Sequence, residues 1–259
     1  MSVMQLGNIT IHWGLLVSLL ALLLAAGAMT LRARAEGGIS RRYGDWAMTV
    51  ILVIILNEKF GFLWDTPSIL WQQPRSLLYI TGTSTEGNIL LILGIIVWTT
   101  LYIRKHQMSY TVLLDLLAHS MLTYVAAYGW IYTINGGHAP GFTPLLQISG
   151  FEVGGIPPAE TLGCIVLLAL LWARQRKLGL LIDAQITLVV CGVVGMLGSY
   201  AYREGMPWLF LTVDQWIFSA MLVAGYFVTR YREREIQRQD VQDEASKMAE
   251  MREPPASQG

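Results

Sequence analysis

The sequence predicts an all-α polytopic membrane protein with seven transmembrane helices. Three observations carry that expectation. Of 259 residues, 54% are hydrophobic and only 14% charged, against roughly one quarter charged in a soluble domain. Seven apolar runs approach the ~20 residues needed to cross a bilayer. Fifteen of the eighteen lysines and arginines fall on alternate connections between those runs. They predict cytoplasmic connections, with the N-terminus outside and the C-terminus inside.

In chain order the runs are Ile11–Leu31, Asp45–Trp64, Asn88–Ile103, Tyr110–Ile134, Pro158–Ala173, Leu178–Tyr202 and Val213–Tyr231. The first lacks a basic flank before it and has arginines after it, so it reads as a span and not as a cleaved signal peptide. The third and fifth are short, which requires either local thinning of the bilayer or helix ends beyond these limits. The fourth carries Asp115 and His119 one helical turn apart. An acid at a helix centre costs roughly 2.5–3.5 kcal/mol on insertion scales, so such residues face a protein interior or a wet cavity.

The membrane domain spans residues 1–231. Residues 232–259 form a tail of mixed charge ending in PPASQG, read as a solvated cytoplasmic helix that frays into disorder. Two connections, Asp65–Gly87 and Asn135–Pro157, are rich in Gly, Pro, Ser, Thr and aromatics. They are expected to cap the outer face, with Trp64, Trp71 and Tyr79 at headgroup level.

Zero net charge gives no indication of nucleic acid as a partner. Cys164 and Cys191 lie in apolar runs without metal-type or CxxC spacing and read as small buried hydrophobes. No GxSxG, P-loop or HExxH motif is present. Two residues, Asp115 and His119, make a weak metal signal, and no metal or other cofactor is expected. Asp115, His119 and Asp183 at a common pore would suit a proton-coupled carrier.

Polar residues toward the outer ends of the runs, Glu58, Lys59, Glu86, Glu160 and Arg203, are expected to line an intramembrane polar cavity beneath the outer loops. A cation there would hold a lipid phosphate. The competing reading for each is ordinary solvation of a helix end or a hydrogen bond to a neighbouring helix.

Several segments, in order over residues 6–230, resemble the prolipoprotein diacylglyceryl transferase family. They are Ile11-His12-Trp13-Gly14, Lys59-Phe60-Gly61-Phe62, the stretch TPSILWQQPRSLLYITG, Asp115, YGWIYTINGG from Tyr128 to Gly137, Pro158-Ala159-Glu160-Thr161, Tyr202-Arg203-Glu204, and Asp214 to Met221 with Gly225. The resemblance implies a bacterial inner-membrane protein, a phosphatidylglycerol-like ligand, and a lipoprotein precursor or other exported protein as partner. It also implies phospholipid contacts at His12, Asn135 and Gly136, beside Lys59 and Arg203. The departures fall on the chemistry. Family histidine and arginine positions are Glu86, Gly129 and Met196 here; a family asparagine is Tyr132, and two family acids are Gly137 and Gly163. Losing one donor to a developing charge commonly slows a reaction by 10²–10³. A silent or altered paralogue that binds lipid is therefore the first expectation. An active transferase with a rebuilt site, using Glu86 or Glu160 as base, is the alternative.

Arg203→Ala and Lys59→Ala should each lower the phospholipid that purifies with the protein, read by lipid mass spectrometry. Unchanged lipid in both would end the phosphate-site expectation.

Overall fold

A computed structural model describes residues 3–6, 9–36, 41–74, 84–134, 158–174, 177–201 and 211–252. The described chain is helical apart from a two-stranded hairpin at its start. Strand β1 (Val3–Leu6) pairs antiparallel with β2 (Ile9–His12), joining Leu6 to Ile9 and Val3 to His12. This short hairpin precedes a chain that is otherwise helical, in keeping with the all-helical expectation. Ile11 and His12, taken as the opening of the first span, belong to β2, whose β-branched Ile9, Thr10 and Ile11 favour an extended backbone.

The helices follow in order: α1 (Trp13–Ala35), α2 (Arg42–Phe60), α3 (Ile69–Gln72), α4 (Thr85–His106), α5 (Tyr110–Ile134), α6 (Pro158–Ala173), α7 (Ile182–Ala201) and α8 (Val213–Arg252). A 3-10 turn, Gly61–Trp64, prolongs α2. Among these, five segments are long and apolar enough to cross a membrane: Leu16–Ala35, Arg42–Trp64, Glu86–His106, Tyr110–Ile131 and Ile182–Ser199. The third span is longer than its apolar run because α4 continues through polar ends. Ser84 accepts the Gly87 N–H at 2.9 Å to start it, and Gln107 in the left-handed region (φ 54°) stops it. Helix α6 remains short, at 16 residues.

Helix α8 carries the seventh apolar run into the expected solvated helix of the tail. It runs unbroken for 40 residues, about 60 Å at 1.5 Å per residue, with no break near Tyr231. Its start is a reciprocal capping box: the Thr212 N–H donates to Gln215 Oε1 and the Gln215 N–H to Thr212 Oγ1. Beyond the apolar half, Arg230 with Glu233 and Arg238 with Glu235 form i,i+3 pairs that support continued helix.

Helix α5 is the hub, packed on α1, α6 and α7, while α7 lies most extensively on α8. Small residues make these approaches possible. Ala21 of α1 is buried with Val125 and Tyr128 of α5, and Gly192 and Gly195 of α7 sit against Leu222 and Phe218 of α8. Helix α4 is different. It packs on α2 and leaves Leu93, Ile96, Val97 and Leu101 more than half exposed, a face suited to lipid and unsuited to water. Arg42 donates to the His106 carbonyl at 2.8 Å, Tyr43 exchanges hydrogen bonds with the Ser109 backbone, and Arg232 reaches Gln185 at 3.1 Å. The helix ends rich in basic residues thus gather at one end of the bundle.

A Cβ at position 195 would enter the Phe218 ring, whereas one at Gly27 meets nothing within 4 Å. Gly195→Leu should destabilise the protein in detergent by about 1–3 kcal/mol through overpacking, read as a lowered unfolding temperature. Gly27→Ala should leave that temperature unchanged or raise it.

Candidate functional site

Two features lie inside the bundle: a buried polar cluster toward the basic end and an apolar cavity further along α5 and α7. The cluster begins with Asp115 on the second turn of α5. Its Oδ2 accepts the N–H groups of Gly179 (2.8 Å) and Leu181 (3.1 Å), and its Oδ1 accepts that of Ala184 (3.0 Å). These belong to the turn leading into α7 and to that helix's first residues, whose N–H groups have no intrahelical acceptor. A carboxylate at a helix N-terminus also opposes the positive end of the helix dipole. The turn needs Gly179 at φ +93° and, less comfortably, Leu181 at φ 56°. A bulky side chain is rare in that region, and the bond from its own N–H to Asp115 helps hold it there.

Helix α1 reaches the same place from the other side. Glu36 Oε2 accepts the Leu178 N–H at 2.7 Å. Arg32 Nη2 lies 2.9 Å from Glu36 Oε1 and 4.0 Å from Asp183 Oδ2. His119, one turn beyond Asp115, directs Nδ1 to the Asp115 carbonyl at 2.9 Å and Nε2 toward Asp183 Oδ2 at 3.7 Å. Its ring meets Trp172 of α6 edge-on. Arg32 is 4% exposed, Asp115 1%, His119 0% and Asp183 2%. Thr187, a turn after Asp183, is equally buried.

The spacing of Asp115 and His119 and the separate acid Asp183 thus lead to one cluster. Asp115 is engaged as an anchor by backbone donors. Among the described residues, no three His, Cys, Asp or Glu side chains form a metal-ligating group. Sequence reasoning missed Arg32, Glu36 and Thr187. Arg32 was counted with the loop cations because it follows the apolar run. Its i,i+4 relation to Glu36 on a continuing helix was the available signal.

The cavity lies between α5, α6, α7 and α8, with a volume of about 70 Å³ and a lining that includes Met121, Gly163, Cys164, Cys191, Gly195 and Phe218. On the scale of ~10–15 Å³ per water-sized centre, it has room for on the order of five such groups. Its lining is apolar, and it is a different place from the expected outer polar cavity: the described residues Glu58, Lys59 and Glu86 do not line it. Half-exposed Val190 and Val194 also border it, so it meets the lipid-facing side of α7.

The outer candidates are only partly brought together. Glu86 lies exposed in the first turn of α4, where an acid complements the helix dipole. Its neighbours Gly87 and Asn88 are buried. Gly87 packs against Trp64 and the Gly61 carbonyl, and Asn88 accepts from Asn57 at 2.9 Å. Lys59, on the last turn of α2, is half-buried. Glu160 lies in the first turn of α6 and His12 in β2, with side chains outside the described residues. Asn135, Gly136 and Arg203 lie outside them altogether.

Two glycines of the expected resemblance sit in opposite surroundings. A Cβ at Gly129 would meet the Thr161 side chain of α6, so a side chain there requires α5 and α6 to shift. Gly163 borders the apolar cavity, and a Cβ there would meet nothing within 4 Å. No family model matches this chain, and no curated protein matches it.

Asp115→Ala would leave three backbone N–H groups without their acceptor. Each buried donor so left costs roughly 1–3 kcal/mol, so the variant should unfold well below the parent temperature in detergent. Asp115→Asn, which retains one acceptor oxygen, should fall between them.

Proposed function

We propose that this is a seven-span protein of a bacterial inner membrane that binds a phospholipid, a paralogue of the diacylglyceryl transferases without their transfer chemistry. In this reading α6 and the apolar half of α8 complete the five long apolar helices, the N-terminus is outside, and the basic end is cytoplasmic. The carrying observation is the apolar cavity of α5–α8, bordered on α6 by Gly163. A phospholipid acyl chain suits an apolar recess that meets the lipid-facing side of the bundle. A headgroup phosphate at the outer end would then be met by Lys59 and Arg203. The ordered sequence resemblance supports the lineage. Glycine at positions 129 and 163 supports loss of the reaction, because neither place supplies the donor or acid that transfer would use.

A proton-coupled carrier is the second reading, favoured by the convergence of His119 and Asp183 beside Asp115.

Gly163→Leu places a side chain into the open space of the cavity and raises helix propensity, so the fold should survive. Phospholipid retained after purification should fall several-fold, and retention equal to the parent would remove the acyl-chain reading. The parent, mixed with phosphatidylglycerol and a lipobox peptide, should leave the peptide mass unchanged while an active family enzyme adds a diacylglyceryl unit. In vesicles holding a pH-sensitive dye, proton flux abolished by His119→Gln would instead favour the carrier.

A further inference from the structure

We infer that Gln215, at the head of α8, donates a hydrogen bond to an ester carbonyl of the phospholipid whose acyl chain enters the cavity of α5–α8; this rests on the lipid reading above and assigns it an ester-binding residue. Gln215 is 1% exposed. Its Oε1 accepts the Thr212 N–H at 3.0 Å. Turning the amide over would set its NH2 against that N–H, so the capping bond fixes which way the group faces. Nε2 is then buried with no hydrogen-bond acceptor among the described residues. A buried donor of this kind is costly, and native structures keep few of them.

The place of Gln215 in the fold identifies the acceptor. Phe218 and Leu222 meet Gly195 and Gly192 of α7, and Gln215 shares that face of α8, one turn before Phe218. Phe218 lines the cavity, as does Met221 a turn further on. A polar donor thus stands at the head of an apolar recess, and an apolar wall with a few placed polar groups is the usual make-up of a ligand site. Depth in the membrane points the same way. Arg232 reaches Gln185 among the basic helix ends. The rise along α8 from Gln215 to Arg232 is about 26 Å, close to the ~30 Å of a hydrocarbon core. With Arg232 at one margin of that core, Gln215 lies near the other, where glycerol esters join acyl chains to headgroups. The ligand therefore offers an acceptor at the head of a long apolar chain. A neutral amide N–H suits the neutral carbonyl of an ester, and the positive end of the α8 dipole favours the oxygen's partial negative charge.

The test is native mass spectrometry of the full chain in detergent, titrated with two phosphatidylglycerols that differ only in linkage, a dipalmitoyl ester and a dihexadecyl ether. The ether keeps the headgroup and the chain length but has no carbonyl. The parent should hold the ester form several-fold more tightly. Gln215→Glu keeps an oxygen for the Thr212 N–H and loses the amide donor, so it should hold both lipids alike, at the level the parent shows for the ether. Infrared spectra of an isotope-labelled ester carbonyl should show a band lowered by hydrogen bonding in the parent and not in the variant. Equal retention of both lipids by the parent would overturn the ester contact and leave the lipid reading standing; retention of neither would end both. An ester preference that survives in Gln215→Glu would also overturn it. So would palmitate displacing the ester lipid mole for mole, which would make the acceptor a fatty-acid carboxylate. The parent comparison can overturn the assignment even if the variant fails to fold.

Discussion

The bundle depends on one carboxylate meeting three backbone donors. A charged acid within an apolar helix and the uncapped start of another helix are each unfavourable in a membrane. Asp115 resolves both, because its oxygens accept from Gly179, Leu181 and Ala184. The helix that carries it is already the hub, so fixing the start of α7 on α5 also fixes where α8 can lie. Glu36 joins α1 to the same turn through Leu178. The polar cluster is thus an organising centre first, and its ionisable members act on that frame.

Further along the same helices the chemistry changes character. Packing there is governed by glycine: Gly129 against Thr161, and Gly192 and Gly195 against α8. Close approach at these points leaves a recess elsewhere, at Gly163 between α6 and its neighbours. Gly129 thus has structural work of its own, whereas Gly163 does not constrain packing. A larger side chain at position 129 requires the Thr161 side chain, and with it α6, to move away from α5.

Much of this was legible in the sequence where the pattern is local. Hydropathy located α2, α4, α5 and α7, and the i,i+4 pair Asp115 and His119 marked the interior face of α5. The acceptor role of Asp115 was not legible, because its donors are backbone groups 64 to 69 residues away and carry no side-chain signature. Arg32 was read as a loop cation because hydropathy falls where α1 continues. The mixed charge after Tyr231 reads as a solvated helix, and i,i+3 pairs of opposite charge sustain α8 there. The expected outer polar cavity involves Glu160 and Arg203, whose side chains lie outside the described residues, whereas the apolar recess is built from side chains that are unremarkable in sequence.

The distance in sequence between Asp115 and its donors also bears on how the chain is made. The ribosome delivers α5 well before the turn at residues 178–184 exists. During that interval the carboxylate has none of its native partners. Asp115 is the sixth residue of α5, only about 8 Å along the helix from its start, so a newly inserted α5 can keep the acid near headgroup water while it waits. Arrival of α7 then withdraws the acid from water and seats it in the bundle. Assembly order is written into the position of a single side chain, and α7 is recruited by a helix that entered the membrane before it.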